Sequence, residues 1–146
     1  MDKTNSKVNI LNTIKFILIA VGILVILAAL FAVIKLKVGA RAALREAKDV
    51  QMALETTDVE MYAVGKTIYN PQKAYGIEDG VKEKVEEIAT VGGKYYVTSY
   101  STARREITGM KYKSGNYIVY YSKKGEGIDW DVDYILRVYR FEDKGE

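Results

Sequence analysis

Residues 16–34 read FILIAVGILVILAALFAVI, nineteen positions with no charge and a single glycine. As a helix rising ~1.5 Å per residue this run is ~28 Å long, close to the hydrocarbon thickness of a bilayer. Lipid offers no partner for a backbone N–H or C=O, so a segment that crosses it must be helical. Lys15 before the run, and Lys35 and Lys37 after it, can carry their ammonium groups out to the headgroups. A core helix of a soluble domain would be shorter or would show a polar face. A signal peptide has an apolar region of about 7–15 residues followed by a small-x-small site. This run is longer, and Lys35-Leu36-Lys37 follows it. Residues 16–34 are therefore predicted to span a membrane, with Phe16, Leu18, Leu24, Leu27, Phe31 and Ile34 among the side chains facing lipid. Membrane lipid is the first predicted partner.

The rest of the composition narrows the chemistry. The chain has 146 residues, no Cys and no His. That removes disulfides, a thiolate nucleophile, Cys- or His-ligated metal and the commonest general base. No GxxxxGK[ST], GxGxxG or GxSxG occurs, and no pair of carboxylates marks a cleft. The expectation is a protein that is not an enzyme and that takes no cofactor, no metal and no small-molecule substrate. The net charge of +3 is placed unevenly. Residues 1–15 hold three Lys against one Asp, residues 35–66 hold six basic against five acidic residues, and residues 67–146 hold thirteen of each. So balanced a region has no electrostatic footprint for a polyphosphate backbone, and no nucleic-acid partner is expected.

Beyond the span, apolar residues recur at alternating steps of four and three: Leu36, Ala40, Ala43, Ala47, Val50, Leu54, Thr57, Met61, Val64 and Ile68. This is one face of a helix. Arg41, Arg45, Glu46, Lys48, Asp49, Glu55, Asp58 and Glu60 lie between them, on the side predicted to be wet. Leu36, Ala40, Ala43, Ala47, Val50, Leu54 and Met61 are the candidate packing residues, against the protein's own sheet or against neighbouring helices in an assembly. Gly39 is a weak point of about 1 kcal/mol relative to Ala, and Gly65 is a candidate C-cap. One nearly continuous helix is expected from about residue 9 to about residue 65, roughly 80 Å long.

Residues 67–77 read as a loop. A short helix is expected over 79–91, with Asp79 as N-cap, Val81, Val85 and Ile88 on one face and Gly92-Gly93 as its stop. Residues 94–101, 106–113 and 116–123 are rich in β-branched and aromatic residues, and Ser114-Gly115 marks a hairpin. Residues 128–134 alternate Ile, Trp, Val and Tyr with Asp129, Asp131 and Asp133, with a bulge or strand end expected at Ile135-Leu136. The fold class that follows is α+β, a long N-terminal helix packed on a small antiparallel sheet of about four strands. The organisation that follows is a short basic leader at 1–15, a span at 16–34 and an amphipathic continuation at 35–66. A head occupies 67–146, with its strands across 94–141.

The Asp row has the D-x-D-x-D spacing of a calcium loop, but Tyr134 and Arg140 stand where that loop needs Gly and Glu. The alternation accounts for the row as the solvent face of a strand. All twelve Tyr lie after residue 60. They are expected at the rim of a half-buried sheet, with a subunit-contact surface as the other reading.

A basic leader, the segment Phe-Ile-Leu-Ile (16–19) continuing GILVILAALFAVIKL, the stretch Ala40-Arg41-Ala42-Ala43-Leu44-Arg45-Glu46-Ala47 and then a sheet together resemble a type IV pilin or a type II secretion pseudopilin. The resemblance covers most of the chain, in architecture more than in motif. Lys15 stands where precursors of that family carry Gly or Ala, and Ala20 where they carry Glu. The resemblance implies a membrane-anchored structural subunit, associating with itself or with other pilin-like subunits through the N-terminal helix. It implies a single-pass cytoplasmic membrane protein with its head outside, at the cell surface if assembled. The count of Lys and Arg flanking the span favours the opposite orientation, with a cytoplasmic head. A single-pass binding or accessory protein that does not polymerise is the alternative.

Overall fold

The computed structural model describes residues 3–90 and 92–135, with side chains described from residue 12 onward. The chain divides into two compact units, one ending at Val38 and the other beginning at Gly39. The fold is α+β, as the sequence predicts: a long N-terminal helix, α1 (Lys3–Ala63), packed through its later part on a four-stranded antiparallel sheet.

From Asn12 to Val38 every residue is exposed.

The second unit is built on the last turns of α1. Ala43, Ala47, Val50, Ala53, Leu54 and Thr57 are buried on its inner face. The strands β1 (Lys94–Ser101), β2 (Glu106–Ser114), β3 (Tyr117–Lys124) and β4 (Gly127–Tyr134) form a meander in chain order. Their register aligns two inward rows, Tyr95–Tyr112–Val119–Val132 and Val97–Met110–Tyr121–Trp130. Alanines on the helix face these large rings, and small residues facing large ones let helix and sheet approach closely. Ile68, Ile77, Val81 and Val85 complete the core.

The turns follow their residues. Gly115-Asn116 and Gly125-Glu126 are two-residue loops with left-handed glycine first, φ +56° and +62°, the pattern of a type II′ hairpin. The first loop therefore lies one residue later than the Ser114-Gly115 signal. α1 ends where Gly65, φ +74°, donates to the Tyr62 carbonyl at 2.8 Å and Lys66 donates to that of Met61 at 2.9 Å. This is the Schellman arrangement that glycine permits.

Gly39 has a reason to be glycine: the ring of Tyr117 occupies the place its Cβ would take. The short helix α2 (Val81–Ile88) starts after Gly80, φ +82°, and Asp79 does not cap it. Instead Asp79 holds the Lys73 ammonium at 2.6 Å. Ile88 is exposed, and the inward position is taken by Ala89. The helix stops there because Ala89 is already extended. The register irregularity of the sheet is in β1, between Val97 and Tyr100. β4 ends at Tyr134 and Ile135 is outside it, at the place where a bulge or strand end is expected; Leu136, Arg140 and the remainder of the expected strand region to 141 lie outside the described residues.

Candidate functional site

The exposed apolar surface of the first unit is the most distinctive feature of the described residues. Leu24 is 68% exposed and Phe31 69%, and Phe16, Leu18, Leu27 and Ile34 are similarly open. α1 satisfies its own backbone hydrogen bonds, so this surface presents hydrocarbon on every side. A soluble protein rarely leaves so large an apolar patch uncovered. The helix is long and apolar enough to cross a membrane, with none of its apolar window buried. Lys15, Lys35 and Lys37 are exposed at the two ends of the run.

The packing residues have different fates. Ala43, Ala47, Val50 and Leu54 are occupied by the chain's own sheet, which closes them to a neighbour. Ala40 and Met61 are half-buried, and Met61 packs against the core. Leu36, in the first unit, is 40% exposed. Val64 is exposed beyond the helix end, and Ile68 is buried from the following loop. The stripe missed Ala53 and Asp58, both buried. One residue per turn marks only the middle of a face that is at least ~100° wide.

The sequence pattern puts Asp58 on the wet side of the helix. It is instead the buried anchor of the helix end. Its Oδ1 accepts from the Ile68 N–H at 3.3 Å and its Oδ2 from the Tyr100 hydroxyl at 2.7 Å. Arg105 closes the same corner. Its guanidinium lies 3.9 Å from Asp58 Oδ1, donates to the Lys66 carbonyl at 3.2 Å and stacks 3.8 Å from the Tyr62 ring centroid. Burial, and then the hydrogen bond to Asp58, pushes the Tyr100 hydroxyl above its usual pKa. Each buried donor left without the carboxylate would cost about 1–3 kcal/mol. The cluster fastens helix to sheet, and its groups are engaged with one another.

Three tyrosines are inside the protein rather than at the rim. Tyr95, Tyr112 and Tyr121 are buried. The Tyr112 hydroxyl donates to Glu46 Oε2 at 2.7 Å, tying the sheet to the helix. Tyr95 has a buried hydroxyl without a hydrogen-bond partner among the described residues. Burial raises the pKa of all three, with the Glu46 hydrogen bond adding to the effect at Tyr112 and the Glu55 charge at Tyr121. A ring of this kind is lipophilic at its face and polar only at its tip, which strand propensity alone does not reveal.

A concavity of about 560 Å³ beside the helix end is lined by Lys73, Glu78 and Asp79. Lys73 is bound there to both carboxylates, at 2.8 and 2.6 Å, and its pKa is raised by them. Asp129, Asp131 and Asp133 project from β4, and among the described residues no group of three acidic side chains is placed to hold a metal ion. Comparison with family models, curated proteins and solved structures finds no match for the chain.

Proposed function

We propose that the protein is a membrane-anchored, pilin-like or pseudopilin-like structural subunit rather than an enzyme. Residues 16–34 hold it in the bilayer, and the α+β head stands outside the cytoplasmic membrane. The observation that carries this reading is the uncovered apolar surface of α1 from Phe16 to Ile34. Lipid covers that surface in the anchored state and neighbouring helices cover it in an assembly. Association in lipid relies on close packing and not on the hydrophobic effect, and Gly22, Ala28 and Ala32 allow such approach.

A second reading, an anchored binding or accessory protein that does not polymerise, draws on Lys15 and Ala20. They replace the Gly and Glu that the pilin pattern places there. Electron microscopy of material sheared from cells, with mass spectrometry of its N-terminus, tests the proposal. The expected result is polymer containing this chain, with the peptide ends showing whether residues 1–15 are removed. Chain found only in the membrane fraction, with no polymer, supports the second reading and contradicts the first.

A further inference from the structure

We infer that the outer face of the sheet is a contact surface for a second copy of this chain, with β1 of each copy lying over β4 of the other. Successive strand residues point to opposite faces, so the register that builds the core also fixes the outer rows. These are Lys94–Lys113–Ile118–Asp133 and Tyr96–Lys111–Tyr120–Asp131, with Asp129 two residues along β4. Charge is sorted across the face. Lys94, Lys111 and Lys113 stand on β1 and β2, aspartates on β4, and Ile118 and Tyr120 form a less polar band between them, with Lys124 at the far end of β3.

Lys94, Lys111, Lys113, Asp129, Asp131 and Asp133 are all exposed. None of the six makes an ion pair with another described residue. Lys111 lies 5.3 Å over the Tyr120 ring, and Asp131 accepts from its neighbour's N–H, Val132, at 2.9 Å.

A face with oppositely charged halves is its own complement under a twofold axis along the strands. Lys94 of one copy then stands over Asp133 of the other. Lys111 and Lys113 stand over Tyr120 and Ile118, one strand gap of ~4.8 Å from the aspartates. An anionic lipid surface would attract the lysines and repel the aspartates, and a partner of one sign meets the same conflict. A second copy satisfies both halves.

Four strands of eight or nine residues offer about 400 Å² of flat face, half of the ~800 Å² per partner in a typical stable complex. The contact is therefore weak between free copies and becomes effective when they share a membrane. It rests on the reading that copies are anchored together and associate. A twofold contact closes a pair, and growth beyond the pair uses the helices.

The cysteine-free chain permits a direct test. Full-length Lys94→Cys and Asp133→Cys variants are co-reconstituted in phosphatidylcholine vesicles and treated with a short bis-maleimide. Facing sheets lie ~10 Å apart, which places residue 94 near residue 133 of the other copy but ~17 Å from its own counterpart. Mixed vesicles are expected to yield about tenfold more dimer than either variant alone. Lys111→Glu with Lys113→Glu in both partners should remove that excess, and Asp129→Lys with Asp131→Lys added to the same chains should restore it. Equal yields in mixed and single vesicles, or yields indifferent to the reversals, overturn the contact. Flotation of the same vesicles reads the anchor separately. Chain that floats without the 94–133 bridge overturns the face contact alone, and chain that does not float overturns the anchored reading beneath it.

Discussion

Replacing both Leu24 and Leu27 by arginine is expected to release the chain from the membrane fraction. Both side chains are exposed near the middle of the apolar run, a surface unsuited to water. An arginine at the centre of a membrane helix costs about 2.5–3.5 kcal/mol on insertion scales, and a leucine there contributes about −0.3 to −0.6 kcal/mol. Two replacements therefore shift insertion by about 6–8 kcal/mol. Neither position belongs to the core of the second unit, whose buried apolar residues run from Ala43 to Tyr121. The head of the variant should keep its fold while the chain leaves the bilayer, and the Leu24→Ile, Leu27→Ile control should remain in it. Fractionation together with circular dichroism separates the two effects. Retention of the arginine variant at the native level would remove residues 16–34 from the role of anchor.

The head should lose stability steeply in alkali. Tyr95, Tyr112 and Tyr121 are buried, and burial holds each hydroxyl protonated to higher pH than in the unfolded chain. A folded pKa raised above the unfolded one contributes stability that is intact below the unfolded value and is lost as pH rises beyond it. Unfolded phenols begin to release protons near pH ~10, and each buried tyrosine then subtracts ~1.4 kcal/mol per pH unit. Tyr95 and Tyr112, which burial shifts furthest, together subtract ~3 kcal/mol per unit, enough to unfold a small domain at the low end of ordinary stability between about pH 10 and about pH 12, and Tyr121 adds to the loss in the same direction. Denaturant titrations across that range measure the slope, and phenolate absorbance should appear together with unfolding. Tyr112→Phe should reduce the slope by up to about half, while destabilising the protein at neutral pH by leaving Glu46 without its donor. Stability that stays level to about pH 12 would contradict the burial of these hydroxyls.

The elements read from the sequence are those with an uninterrupted pattern. Residues 16–34 carry no charge, β4 alternates along its whole length, and glycines stand at both tight hairpins, so local rules and the tertiary structure agree there. What was not legible depended on partners distant in sequence. Asp58 looked like a wet helix residue because its partners, Ile68 and Tyr100, lie beyond the helix. Gly39 looked like a helix defect until the Tyr117 ring was placed against it. Asp79 preceded a helix in the manner of a cap, yet an ion pair with Lys73 claimed its carboxylate. Tyr95, Tyr112 and Tyr121 looked like rim residues because strand propensity does not tell one face of a sheet from the other. The sorted charge of the outer face was equally hidden. It appears only when the register aligns lysines and aspartates that are up to 39 residues apart, as Lys94 and Asp133 are.

The central claim is that residues 16–34 lie in lipid while the second unit stands in water. Single cysteines placed along the cysteine-free chain test it directly, with a water-soluble maleimide supplied on both sides of reconstituted vesicles. The account predicts that Leu18→Cys, Leu24→Cys, Leu27→Cys and Phe31→Cys stay unlabelled until detergent is added, while Arg41→Cys, Arg45→Cys and Glu87→Cys, exposed and off the outer face of the sheet, react at once. Rapid labelling of the first four in intact vesicles would contradict it.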